Sequence, residues 1–151
     1  MWSHYADKHR GLVLEIETSE LIPGVNLDPL TFDVQYRTSP PDMHALHSDI
    51  ESTEASLNRV SSTKAIQWSY EEEVRIKFPA PDGVKNDMPV DRDFPPSCIK
   101  RVIVGCYVDR GSEFYHKIDK LADQPEYTHT LFQQAYIHQH DYKLCFADRP
   151  R

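Results

Sequence analysis

Residues 68–78 read WSYEEEVRIKF, and the alternation within them sets the fold class. Side chains of an extended chain point alternately to two faces. Tyr70, Glu72, Val74, Ile76 and Phe78 would share one face, and Glu71, Glu73, Arg75 and Lys77 the other. That pattern predicts a strand over residues 68–78 with one charged face. Pro79, Pro81, Asp82 and Gly83 end it and open a loop that runs to Pro96. Further on, residues 99–108 contain Val102-Ile103-Val104, the apolar centre of a buried strand. Residues 112–121 place Phe114, Ile118 and Leu121 at helical spacing. Residues 130–137 and 142–146 read as two strands joined by a polar turn, which predicts a hairpin.

Upstream of the opening stretch, residues 32–37 (FDVQYR) alternate Phe32, Val34 and Tyr36 against Asp33, Gln35 and Arg37. Pro40 and Pro41 close that strand and open a polar helix over residues 42–60. Its stripe of Met43, Leu46, Ile50, Leu57 and Val60 covers the body rather than filling it. Residues 12–16 (LVLEI) predict a strand covered on both faces, Glu15 excepted. Residues 2–10 predict a short helix stopped by Gly11, where a glycine relieves the left-handed position past a helix end. The order α-β-β-α-β-β-α-β-β predicts an α+β fold: a mixed, largely antiparallel sheet flanked by two or three helices. No internal repeat or low-complexity tract interrupts it.

Composition narrows the function classes. A chain of 151 residues fits a single domain, residues 1–151. Asp and Glu outnumber Lys and Arg by 24 to 17, and the formal charge of −7 repels nucleic-acid phosphates at long range. No dense basic run supports a nucleic-acid partner. Cys98, Cys106 and Cys145 lie far apart and form no Cys-x-x-Cys pair, so neither a disulfide framework nor a thiolate zinc site is indicated. Cys106 and Cys145 fall in apolar runs, as small buried hydrophobes do. A reducing, cytoplasmic setting suits these cysteines, and no apolar run is long enough for a membrane span.

Two clusters of residues ask for an explanation beyond folding. Glu71 and Glu73 would sit about 7 Å apart on one strand face. One reading makes them half of a solvated ladder in which Arg75 and Lys77 offset their repulsion. The other places the pair in a cleft, where repulsion and desolvation raise one pKa toward neutrality, as general acid–base work requires. The second cluster is Trp2, His4, Tyr5 and His9 on the first predicted helix. His4 and His9 lie five apart and do not share a helix face, so they form no two-histidine metal face. His4 reads either as a structural histidine or as a catalytic one, and Tyr5 as an interface residue or a substrate platform. His44 and His47 lack a third ligand at metal spacing, as do His138 and His140 beside Asp141, and no metal site is predicted. Glycine-rich phosphate loops and a serine nucleophile elbow are absent from the sequence.

The motifs Met1-Trp2-Ser3-His4-Tyr5-Ala6-Asp7-x-His9-x-Gly11, Trp68-x-Tyr70-Glu71-x-Glu73-x-Arg75 and Val102-Ile103-x-Gly105 together resemble an uncharacterised bacterial family, domain of unknown function two-nine-seven-one. Val34-x-Tyr36 and Lys64 also fall where that family has them. The resemblance implies that a front portion precedes the Met-Trp-Ser-His-Tyr motif, which makes this chain the C-terminal portion of a longer architecture. It supplies no mechanism. The Glu-x-Glu pair, more narrowly, is similar to the way NAD-consuming ADP-ribosyltransferases present a catalytic carboxylate.

Two function readings stay open from sequence. In the first, the protein acts on a nucleotide or NAD-like substrate. Glu73 is its principal carboxylate, Glu71 and His4 assist in catalysis, and Tyr5, Trp68, Tyr70 and Arg75 bind substrate. In the second, the same residues form a buried polar network in a non-catalytic binding or regulatory module. A metal-dependent nuclease, the third and weakest, needs a carboxylate cluster near Lys64 or Lys77. Cofactor identity and oligomeric state leave no mark on the sequence.

Overall fold

The apolar runs at residues 12–16, 99–104 and 131–137 find one another in a single sheet. The computed structural model describes residues 2, 4–22, 24, 30–41, 50–78, 93–141 and 143–149. They fall into two compact units, residues 1–25 with 91–151 and residues 26–90. The class is α+β.

In the first unit β1 (Leu12–Ile16), β6 (Ile99–Val104), β7 (Leu131–Ile137) and β8 (Leu144–Asp148) form a four-stranded sheet in the order β1-β6-β7-β8. β1 is antiparallel to β6, β6 parallel to β7, and β7 antiparallel to β8. The β7–β8 hairpin is as the turn at residues 138–141 predicted. The parallel step needs a crossover, and α2 (Glu113–Ala122) lies within it. Ser112 caps that helix by accepting from the Tyr115 amide at 3.2 Å, with Glu113 in the first turn and Lys120 in the last, as the helix dipole favours. Cys98, Ile99, Val102, Val104, Ile118 and Phe132 make the core, and β1 lays Leu12, Leu14 and Ile16 against it. β1 is an edge strand and only half-buried, not covered on both faces. Cys106 and Cys145 are likewise half-buried, whereas Cys98 is fully enclosed.

Thr130 is the polar member of this interior: it is buried and donates its hydroxyl to the Ile99 carbonyl at 2.8 Å. Thr130→Val keeps the shape and strands that carbonyl. Urea denaturation should report a loss of about 1–2 kcal/mol; no loss would mean that another donor replaces the hydroxyl.

The predicted helix over residues 2–10 does not form. Asp7, Lys8 and His9 have φ of 45°, 53° and 68°, and this run of left-handed residues reverses the chain as a compact turn. The turn is closed by His9 N–H to the Trp2 carbonyl at 3.2 Å and Gly11 N–H to the Ala6 carbonyl at 2.9 Å. Ala6 is buried beneath it, and the Trp2 and His9 rings stack with centroids 5.8 Å apart. Gly11 therefore serves close approach rather than a helix end: a Cβ there would meet the Ala6 carbonyl oxygen at 3.1 Å.

In the second unit the expected strand over residues 32–37 is two strands, β2 (Thr31–Asp33) and β3 (Gln35–Arg37). The break falls at buried Val34, whose N–H donates to the Glu73 carbonyl at 2.9 Å. β2 pairs antiparallel with β5 (Val74–Ile76), and β3 pairs parallel with β4 (Thr63–Ala65). Helix α1 (Ile50–Ser61) connects β3 to β4, as a parallel pair requires. The first part of the predicted helix, residues 42–49, lies outside the described residues, as do His44 and His47.

The strand predicted over residues 68–78 is mostly something else. Residues Ile66–Glu71 form a 3-10 helix, Glu72 is left-handed at φ 47°, and only Val74–Ile76 is strand. The faces assigned to Glu71 and Glu73 by alternation therefore do not apply.

Candidate functional site: a four-charge cluster in the second unit

A 3-10 helix followed by a left-handed residue folds the chain tightly, and this brings Glu71 and Glu73 to a common cation. Lys64, on β4, sends its ammonium to Glu71 Oε2 and to Glu73 Oε2, the latter at 3.0 Å. Arg75, on β5, clamps the other side of Glu73, with Nε to Oε1 at 2.6 Å and Nη2 to Oε2 at 3.2 Å. Its remaining arm, Nη1, donates to the Ser61 carbonyl at the end of α1, where a cation suits the helix dipole. The Glu73 backbone is fixed too: its carbonyl takes the Val34 N–H at 2.9 Å, and its N–H donates to the Tyr36 hydroxyl at 2.8 Å. Among the described residues, two cations thus meet two carboxylates across β4, the 3-10 helix and β5.

Of the two electrostatic readings left open by the sequence, the pair here has its charge offset by cations, with Arg75 as in the ladder but Lys64 in place of Lys77. The Arg75 hydrogen bond holds the Glu73 carboxyl far down, Lys64 adds to this, and partial burial opposes it only in part. The result is a pKa of about 2 instead of 4.5. Repulsion from Glu71 is absorbed by the shared ammonium. Glu71 itself is enclosed, its side chain 7% exposed, and its Oε1 is buried with no hydrogen-bond partner among the described residues.

The aromatic pair sits on the same 3-10 helix. The Lys64 ammonium lies 5.1 Å from the Trp68 ring centroid, and Trp68 and Tyr70 have ring centroids 6.1 Å apart. Tyr70 is 60% exposed. Glu71, Glu73, Arg75, Trp68 and Tyr70, five of the seven residues that sequence grouped, thus lie close together. His4 and Tyr5 belong to the N-terminal turn of the first unit, and both are exposed there. Sequence reading missed the roles of Lys64 and Tyr36. Both fall at positions that resemble the family's, but no spacing rule links a lysine seven residues ahead of Glu71 to a glutamate pair. Among the described residues no three His, Cys, Asp or Glu side chains are placed to hold a metal ion. Both carboxylates at Lys64 are ion-paired, Glu71 to Lys64 and Glu73 to Lys64 and Arg75.

A family model described as protein of unknown function (DUF2971) matches residues 1–76, half of the chain. The chain belongs to that family. The DUF2971 match takes in the N-terminal turn, Tyr36, Lys64, the 3-10 helix and the whole of β5. Every member of the charge cluster therefore lies inside the family region, and β6, β7 and β8 lie after it. No curated protein and no solved structure matches the chain.

Proposed function

We propose that this DUF2971 protein is a non-catalytic binding module whose Lys64–Glu71–Glu73–Arg75 cluster is a structural polar network of the second unit. One observation carries the reading: the Glu73 carboxylate is held by two cations and has a pKa of about 2. A general acid or base at neutral pH needs a pKa near the working pH. A carboxylate meant to stabilise developing positive charge needs an unspent negative charge, and Glu73 has spent its own on Lys64 and Arg75. Tyr36 and Val34 tie its backbone to β3 and the β2–β3 break, which is how a network fixes strand partners.

The enzymatic reading, a nucleotide- or NAD-using enzyme with the same carboxylate pair, keeps one observation in its favour. Glu71 Oε1 is a buried acceptor without a donor among the described residues, and a substrate hydroxyl would satisfy it after modest opening.

A double-mutant cycle on Lys64→Met and Glu73→Gln separates the two. A structural network gives destabilised single variants and a coupling of about 1–2 kcal/mol. Single variants that melt at or above wild type, with no coupling and with loss of a measurable NAD turnover, would establish the enzyme instead.

A further inference from the structure

The second unit also holds a cleft of about 530 Å³ that the charge cluster does not use. Arg37, Arg59 and Lys77 line it, together with Asn58, Phe32 and Asp33. Three cations against one carboxylate make it locally positive in a chain whose formal charge is −7. How these cations are held matters more than their number. The Lys77 ammonium donates to Asn58 Oδ1 and lies 5.3 Å from the Phe32 ring centroid. The Arg37 guanidinium donates to Gln35 Oε1 at 2.8 Å. Those partners are neutral, so they orient the cations without cancelling their charge. Lys64 and Arg75, in the same unit, instead share two carboxylates.

The end of α1 reaches this cleft, and a helix C-terminus ordinarily repels anions. Here three of its last four carbonyls, those of Asn58, Arg59 and Ser61, are occupied. The Ser61 hydroxyl donates to Asn58 O, those of Ser62 and Thr63 to Arg59 O, and the Gln35 N–H to Ser62 O. Arg75 covers the Ser61 carbonyl. The negative end is thereby muted and the cationic side chains set the sign.

We infer that this cleft binds a small phosphomonoester, its phosphoryl group taken by Arg37, Arg59 and Lys77 and its organic part lying toward Phe32. The volume is several times that of a phosphate ion and falls in the usual range for small-ligand sites. Arginine and lysine together are the usual reading heads for a phosphoryl group. A long polyanion is disfavoured by the chain's overall negative charge. The inference does not depend on the structural reading of the Glu73 network.

Titration calorimetry of the full chain at constant ionic strength tests it, with ribose 5-phosphate, inorganic phosphate and ribose as probes. Saturable binding of ribose 5-phosphate and none of ribose is expected, with Arg59→Gln and Lys77→Gln each weakening it at least about tenfold. Arg10→Gln, in the first unit, should leave it unchanged. Inorganic phosphate binding as tightly as the sugar phosphate would support the phosphoryl site and remove the role given to Phe32. Exposed Arg59 decides the matter if Lys77→Gln fails to fold. Absence of saturable binding, binding that survives Arg59→Gln, or tighter binding of single-stranded RNA than of ribose 5-phosphate would each overturn the proposal.

Discussion

Gly105→Ala should cost at least about 3 kcal/mol of stability, more than an ordinary interior substitution. Gly105 is buried just past β6, where the N-terminal turn comes to rest on the sheet. A Cβ at this position would stand 2.1 Å from the His9 carbonyl oxygen, 2.6 Å from the His9 carbonyl carbon and 2.9 Å from the Gly11 oxygen. All three are backbone atoms, so no side chain can rotate away. Nor can the turn back off cheaply. Gly105 N–H donates to the Gly11 carbonyl at 2.9 Å, and Tyr107 N–H to the His9 carbonyl at 3.0 Å, and both bonds must lengthen together. Losing the turn would also unstack Trp2 from His9 and separate His9 from Tyr107. Urea denaturation gives the free energy, and amide exchange should accelerate most at Gly105 and Tyr107. A change within about 0.5 kcal/mol would mean that the turn does not approach this closely.

The same glycine shows what a sequence can and cannot announce. Val102-Ile103-x-Gly105 stood out as a motif, and its apolar part correctly predicted β6, because a buried strand is written as a continuous apolar run. Helix α2 and the β7–β8 hairpin were legible for similar reasons: Phe114, Ile118 and Leu121 at helical spacing, and a polar turn between two apolar stretches. The N-terminal turn was not legible. Trp-Ser-His-Tyr-Ala-Asp contains nothing that forbids a helix, and the left-handed run at Asp7, Lys8 and His9 depends on docking against Gly105 and Tyr107. Tertiary contact overrode local preference.

In the second unit the failure has a different cause. Residues 73–78 alternate charged and apolar side chains well enough to suggest a strand running back through the glutamates, yet Glu72 adopts φ 47° and breaks it. Phe32 to Arg37 alternates equally well, but the chain changes partner at Val34, an event that a period of two does not encode. Glu71, Glu73, Arg75, Trp68 and Tyr70 still lie near one another, because residues so close in sequence meet whether the backbone is strand or 3-10 helix. Which of the two electrostatic readings holds was not legible, because Lys64, which helps pull the Glu73 pKa down, comes from β4, a strand that sequence reading did not assign.

That lowered pKa makes a prediction about acid. Glu73 is held at about 2 in the folded chain against 4.5 ordinarily, so the folded state binds its proton less readily than the unfolded state. Its stabilising contribution is therefore complete above about pH 4.5 and is lost as pH falls toward about 2. The full shift corresponds to about 3.4 kcal/mol, and solvent access to the cluster reduces the expected effect to about 2 kcal/mol. Glu73→Gln removes the titrating group, leaving Lys64 and Arg75 with a neutral acceptor. At neutral pH the variant should be less stable than wild type by about that amount, and the two denaturation curves should converge as acid is added. A carboxyl poised for general acid–base work would have a raised pKa, with stability present at low pH and lost as pH rises through the folded value. Wild type and Glu73→Gln would then diverge in the opposite direction, with the variant the more stable of the two at neutral pH. Acid unfolding monitored by circular dichroism, at fixed ionic strength, distinguishes a structural Glu73 from a catalytic one without knowledge of any substrate.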